Sequence, residues 1–379
     1  MKIEIIGTFY NNHSLSIVNR NLVTQLYKNK YDVYITPLDS YDCENKVENE
    51  EVLDILDELS AKEAQIEPDI QVRHTYPPIW RWPLSNKTKV VFIQPWEFSK
   101  VPFEWQYKWE QFADAIICPS YWNRDRYLEA GINPDKLFVV PNGYNPEVFY
   151  PDRTKKNKLF TFTFVGCNQY RKGLDILLET WPKAFEKADN VRLIIKDTPN
   201  IYGDNNLLDQ ILKLQYKYDC AKIELDAENR SEAEMAELYK QTDVLVHPFR
   251  GEGFGMHIQE AMACGALPLI SRGGAPEIFV NDNNGLFIEV TTNIVDLTDP
   301  LYMASKPGDS FTGMHQYGTI NEPNKQDLLN KLRTLYHSHN RDEIIDRVKN
   351  AELFTWEAAG EIFANTLKQI HSFTNVHRV

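Results

Sequence analysis

The strongest constraint on how this chain can fold is an alternation that runs along it twice. Short apolar runs of strand length are separated by stretches of helical periodicity, which is how a parallel sheet covered by helices reads in sequence. The first series has strand candidates at residues 2–7, 32–36, 69–73, 90–94, 115–119 and 137–141. The second has them at 160–166, 191–196, 222–225, 243–248 and 266–271. Between the series, residues 141–158 combine three prolines, the turn dipeptide Asn142-Gly143 and a basic run, the composition of a linker. The chain therefore divides into residues 1–145 and 146–353, each a doubly wound α/β domain of Rossmann-like kind. Residues 354–379 carry a closing amphipathic helix expected to pack back on the first domain. Two such domains would face a shared crevice at the carboxyl ends of their strands. Residues 291–323, with Pro, Gly, Asp and Thr and little periodicity, read as a long surface loop.

A length of 379 residues suits two cores, and 42% apolar with 25% charged residues is a globular composition. The net charge of −13 argues against nucleic acid or an anionic membrane bound through bulk electrostatics. The first residues read as a strand and not as a secretory segment, and no run reaches the roughly 18 apolar residues of a membrane span. A cytoplasmic protein is expected, with peripheral membrane association left open. The five cysteines are widely spaced, so neither a disulfide framework nor a zinc knuckle is indicated. No D-x-D triplet is present to hold a divalent ion against a diphosphate. No metal and no cofactor are expected.

The string DVLVHPFRGEGFGMHIQEAMACGALPLIS carries the clearest chemistry, read as strand, glycine-rich turn, helix and strand. A helix entered near Gly255 would offer unpaired amides and a positive dipole end to an anion. Gly253 and Gly255 let a phosphate or sugar approach the backbone. Glu252 stands at the turn, where a carboxylate can accept from sugar hydroxyls, and Glu260 follows eight residues on, within the second helical turn. The loop Gly166-Cys-Asn-Gln-Tyr-Arg-Lys-Gly173 places Arg171 and Lys172 after a strand, where fixed cations can stabilise a leaving diphosphate.

The E-G-F-G-x4-E spacing followed by A-M-A-x-G resembles the donor motif of retaining glycosyltransferases of family 4, which have the GT-B fold. VVPNGYNPEVFYP is similar to that family's linker, FVGCNQYRKGLDILLETW to its first donor-domain strand, loop and helix, and FTWEAAGEIF to its closing helix. The resemblance implies transfer from a nucleotide sugar, UDP- or GDP-linked, to a hydroxyl of a glycan, lipid-linked or protein acceptor. It implies that Glu252 contacts the transferred sugar, that Gly253, Phe254, Gly255 and Met256 hold sugar and diphosphate through their amides, and that Glu260 holds the ribose. Lys172 matches the family's phosphate-binding lysine. Cys167 stands where the family usually has an arginine, and Arg171 is the candidate to replace it.

In the first domain, Gly7 opens a polar loop at a strand end and is a donor-side candidate, with His13 beside it. His74, Gln94, Trp96 and Glu97 follow two further strand ends and are acceptor-side candidates, Trp96 and Glu97 because a ring with a carboxylate grips a sugar. His247 and His257 are discounted, since neither shows metal-ligand spacing with another His or an acid. Cys264 and Met262 read as core. Three other functions compete with a transferase. A nucleotide-dependent oxidoreductase fails because Gly251, Gly253 and Gly255 lack the G-x-G-x-x-G spacing. A non-hydrolysing sugar-nucleotide epimerase and a catalytically silent nucleotide-sugar or glycan-binding subunit share the architecture and are separated from a transferase by product formation.

Overall fold

The computed structural model describes the chain except residues 41, 44–46, 48, 63–66, 153, 155–157, 198–205, 300–315, 339–345, 347, 349–350, 352 and 374–379. It forms two compact units. The first comprises Met1–Trp96, Lys100–Gly143 and Phe354–Val379, and the second Glu97–Ser99 with Tyr144–Leu353.

The first unit is a six-stranded parallel sheet of β1 (Lys2–Gly7), β2 (Asp32–Pro37), β3 (Ile70–His74), β4 (Lys89–Ile93), β5 (Ala115–Cys118) and β6 (Leu137–Val139). Its strand order, β2-β1-β3-β4-β5-β6, is that of a doubly wound sheet. Helices α1 (Ser14–Lys28), α2 (Glu50–Ala61), α3 (Phe103–Phe112) and α4 (Tyr121–Glu129) connect the strands. Parallel strands are covered on both faces, which is why their sequences are apolar runs and not alternations. Ile3, Val72, Val91 and Ile116 are sealed from solvent, each worth about 1.5–3 kcal/mol of apolar burial. The side chain of Ser120 caps α4 and that of Thr355 caps the closing helix, Trp356–Ser372. That helix packs along α1, burying Phe363, Leu367 and Ile370.

The second unit repeats the plan. Its sheet contains β7 (Phe160–Val165), β8 (Val191–Lys196), β9 (Lys222–Asp226), β10 (Val244–His247), β11 (Leu267–Ser271) and β12 (Leu286–Ile288), in the order β12-β11-β10-β7-β8-β9. Its helices are α5 (Leu174–Ala184), α6 (Leu207–Tyr218), α7 (Glu232–Lys240), α8 (Met256–Ala263) and α9 (Lys325–Ser338). The core gathers Phe162, Phe164, Leu174, Trp181 and Leu269. Trp181 is fully enclosed, and its indole N–H donates to the Ala221 carbonyl at 3.1 Å.

The loop expected at 291–323 is corrected on both sides of residues 300–315, which lie outside the described residues. An antiparallel pair, β13 (Val290–Asp296) with β14 (Tyr317–Pro323), occupies the flanks. Its β-branched Val, Thr and Ile favour extended pairing, but Thr291 to Ile294 are exposed, so no apolar period marks it. Among the described residues no helix is long and apolar enough to cross a membrane.

Candidate active site

β7 and β10 are neighbours in the second sheet, so the loops at their carboxyl ends meet. After β7 the chain turns through Gly166, forms a short 3-10 turn at Tyr170–Lys172 and enters α5 through Gly173 at φ 74°. A Cβ on Gly173 would stand 1.8 Å from the Pro248 carbonyl oxygen, so only glycine permits this approach. The contact brings Lys172 beside Glu252, eighty residues away in sequence.

Glu252 is buried, with 8% of its side chain exposed. Its Oε2 accepts from Lys172 Nζ at 2.6 Å and from His247 Nε2 at 3.4 Å, and Oε1 accepts from the Gly253 amide at 3.1 Å. Arg171 Nη1 lies 3.8 Å from the same Oε2. Burial alone would raise the carboxyl pKa. The Lys172 charge, the His247 hydrogen bond and the Arg171 charge hold it well below the usual carboxylate range. Glu252 is thus an anion at neutral pH, fixed between two cations. Arg171 is tied further to the Gly251 carbonyl at 3.2 Å and, through Nη2, to Glu97 at 3.5 Å. Arg171 therefore shares the carboxylate with Lys172, beside the Cys167 turn where the family arginine would stand.

Gly255 caps α8 in the left-handed region, φ 84°, and brings no side-chain acceptor to the first turn. The amide end of α8 is therefore left open to an anion, without a competing side-chain cap. Phe254 is buried with its ring 5.4 Å from Phe279, so its ring face is turned into the core. Glu260 lies four residues after Met256 on α8, and Tyr239 Oη donates to its Oε2 at 3.2 Å. Burial, reinforced by the Glu232 charge and opposed by the Tyr239 hydrogen bond, pushes the Glu260 carboxyl up to about 8.

The expectation that His247 and His257 stand apart from other ligating groups is corrected. The fold brings His247, Glu252 and His257 together, with one potential ligand atom from each within 4.8 Å of the others. The two imidazoles meet edge to face at 4.5 Å. Burial lowers the His247 pKa to about 4 and holds His257 well below its ordinary value, so both are neutral. His247 Nδ1 and His257 Nε2 have no hydrogen-bond partner among the described residues. A dication here would add charge next to Lys172 and Arg171 on the same carboxylate, and like charges at this range repel strongly in a buried site. The cluster sets two neutral imidazoles against an ionised carboxylate that already carries two cations. Sequence spacing missed it because β10 and α8 are joined by a turn that folds position 257 back on position 247.

The remaining candidates sort differently. Trp96 is corrected: it is 3% exposed, its indole N–H donates to the Lys100 carbonyl at 2.8 Å and its ring packs 5.3 Å from Trp105, so no ring face is presented to a sugar. Gln94 is buried, its side chain donating to the Pro95 carbonyl and its own carbonyl accepting from Tyr127. His74 is buried, bonded to Asn19 Oδ1 at 2.8 Å, and burial lowers its pKa to about 3. His13 caps α1 by accepting from the Leu15 amide at 3.4 Å. At Gly7 a Cβ would lie 2.4 Å from Asn19 Nδ2, a packing reason for glycine. Glu97 belongs to the second unit and pairs with Arg171, not with Trp96.

Two family models match the chain, one described as Glycosyl transferases group 1 over residues 148–302 and one as Glycosyltransferase Family 4 over residues 17–148. The chain belongs to these glycosyltransferases. An uncharacterized glycosyltransferase of Methanocaldococcus jannaschii is 34% identical over 179 residues, 47% of this chain and 46% of that protein. The gpi3 subunit of the phosphatidylinositol N-acetylglucosaminyltransferase of Schizosaccharomyces pombe is 28% identical over 170 residues, 44% of this chain and 36% of that protein. The chain thus spans under half the length of these curated relatives. Anabaena HepE, solved in complex with UDP and glucose, superposes with a TM-score of 0.63 at 14% identity, covering 97% of this chain and 100% of that one. At that identity the likeness is one of fold, and the fold is the GT-B arrangement of two Rossmann-like domains.

Proposed function

We propose that this glycosyltransferase moves a sugar from a nucleotide-sugar donor to a hydroxyl acceptor, with retention of anomeric configuration and without a metal ion. The observation that carries the reading is the buried Glu252 carboxylate, held ionised by Lys172 and Arg171 next to the uncapped amide end of α8. A carboxylate in that setting offers acceptors to sugar hydroxyls, while the cations and amides offer positive charge to a diphosphate. The bond from the anomeric carbon to the phosphate oxygen breaks, and the acceptor oxygen bonds to the same face. The acceptor proton passes to the departing phosphate oxygen, leaving a nucleoside diphosphate. No side-chain nucleophile takes part. Lys172 and Arg171 answer the charge that grows on the leaving group, Glu252 the positive charge near the anomeric carbon, and Glu260 accepts from the ribose.

HepE carries UDP and glucose in its complex, which makes UDP-glucose the first donor to try, with GDP-linked sugars next. The acceptor is a hydroxyl on a glycan, a lipid-linked glycan or a protein, and the site of action is the cytoplasm. A thermal-shift panel of UDP, GDP and ADP sugars, followed by incubation with candidate acceptors, tests the reading. Donor-dependent stabilisation with transfer to an acceptor supports it. An epimerised donor without acceptor consumption, or binding without turnover, replaces it with the epimerase or the silent subunit.

A further inference from the structure

Arg250 lies two residues before Glu252, beyond the end of β10, and its side chain is only 3% exposed. All five of its guanidinium N–H groups are used. Nη1 donates to the Tyr170 carbonyl at 2.6 Å and to Asp175 Oδ1 at 2.9 Å, and Nη2 donates to Asp175 Oδ2 at 2.8 Å. Nη2 also donates to Glu322 Oε1 at 2.9 Å, and Nε to Glu322 Oε2 at 2.6 Å. The guanidinium carbon sits 3.5 Å from the centroid of the Tyr170 ring. The backbone joins the same junction: the Arg250 amide donates to the Arg171 carbonyl at 2.7 Å, and the Asn321 amide donates to the Arg250 carbonyl at 3.2 Å. Asn321 Nδ2 in turn reaches the Gly273 carbonyl at 2.7 Å.

We propose that Arg250 is a positioning residue for transfer, a strap that fixes the Lys172 loop against the Glu252 loop, and that Glu322 on β14 anchors the strap from its other side. The inference rests on the reading of the Lys172–Glu252 cluster given under the proposed function. Tyr170, Arg171 and Asp175 bracket Lys172 in the chain, so every bond Arg250 makes to them limits where Lys172 Nζ can lie. Arg250 itself is two peptide units from Glu252. A shift of the guanidinium therefore changes the separation of the cation that meets the phosphate from the carboxylate that meets the sugar. A planar fork can serve two carboxylates and a carbonyl at once, whereas an ammonium with three donors cannot reproduce that geometry. Such support around reacting groups governs rate through geometry. Glu322 lies past residue 302, where the group 1 match ends, so the second arm of the strap comes from the β13–β14 pair.

Wild type, R250K, E322A and E322Q are compared for thermal midpoint, turnover and donor KM, with the donor the wild type accepts. The strap predicts that R250K stays folded, with a midpoint within about 5 °C of wild type. Its turnover falls at least tenfold while donor KM changes less than about threefold. E322Q, which keeps one acceptor on the arm, recovers much of the turnover that E322A loses. A purely structural role lowers the midpoint and leaves turnover of the folded enzyme intact, so R250K and E322A within twofold of wild type in turnover overturn the strap. Should R250K fail to fold, the E322A and E322Q pair decides alone, because Glu322 is a partly exposed β14 side chain. Wild type that forms no product with any donor overturns the enzyme reading and the strap together, an outcome distinct from active wild type with unaffected variants.

Discussion

Lys172 and Glu252 meet at 2.6 Å, and their roles separate kinetically. In the proposed reaction the charge of Glu252 opposes positive charge that grows only as the sugar bond breaks, so Glu252→Gln is expected to lower turnover, by about 100-fold, more than it weakens donor binding. Lys172→Ala lowers turnover similarly, since the phosphate gains charge in the same step, but it also weakens binding of the free nucleoside diphosphate. Calorimetry on both variants checks this. Equal loss of diphosphate affinity in the two, or turnover of Glu252→Gln within about twofold of wild type, removes Glu252 from the sugar. Glu260→Ala acts on uniform binding: loss of its hydrogen bonds to a ribose costs about 2 kcal/mol, a roughly 30-fold weaker donor with turnover little changed. An unchanged donor dissociation constant contradicts the ribose role.

Among the elements, the α5 entrance is the least tolerant point. Gly173→Ala adds a Cβ 1.8 Å from the Pro248 carbonyl at φ 74°, so it should lower stability by at least about 2 kcal/mol in denaturant unfolding. A loss under about 0.5 kcal/mol means that the two loops are not tightly apposed. Strands such as Val191–Lys196 are covered on both faces and so announce themselves as apolar runs. The Glu252 turn was legible because glycines and acids are fixed there by backbone conformation. The β13–β14 pair was not, because its exposed Thr and Asn positions carry no apolar period. Trp96 was ambiguous for a related reason: a tryptophan at a strand end serves a core or a sugar equally well until its neighbours, here Trp105, are known. His247, His257 and Arg250 owe their setting to contacts across the sheet, which spacing along the chain does not record.

For the whole molecule, burial makes stability depend on pH. His74 and His247 titrate near 3 and 4 in the folded chain and His257 well below its ordinary value, whereas unfolded histidines bind protons below about 6.5. Between pH 6.5 and about 4.5 the unfolded state thus gains up to three protons that the folded state refuses. Glu260 works the other way, since its folded carboxyl stays protonated up to about 8 and loses stability as pH rises above about 4.5. Three groups outweigh one, so the melting temperature should fall as pH drops from 6.5 to 4.5, and His247→Asn should flatten that slope. A flat profile in the wild type contradicts the buried neutral histidines. The proposed transfer makes a different demand on the molecule, that the positive charge meeting the diphosphate come from Lys172, Arg171 and the α8 amides. Proton NMR of the wild-type reaction in excess EDTA, with an α-linked nucleotide-sugar donor and a hydroxyl acceptor, tests that directly. An α-linked product is expected to accumulate from the first turnovers at the EDTA-free rate. A β-linked product, or a reaction abolished by EDTA and restored by manganese, contradicts it.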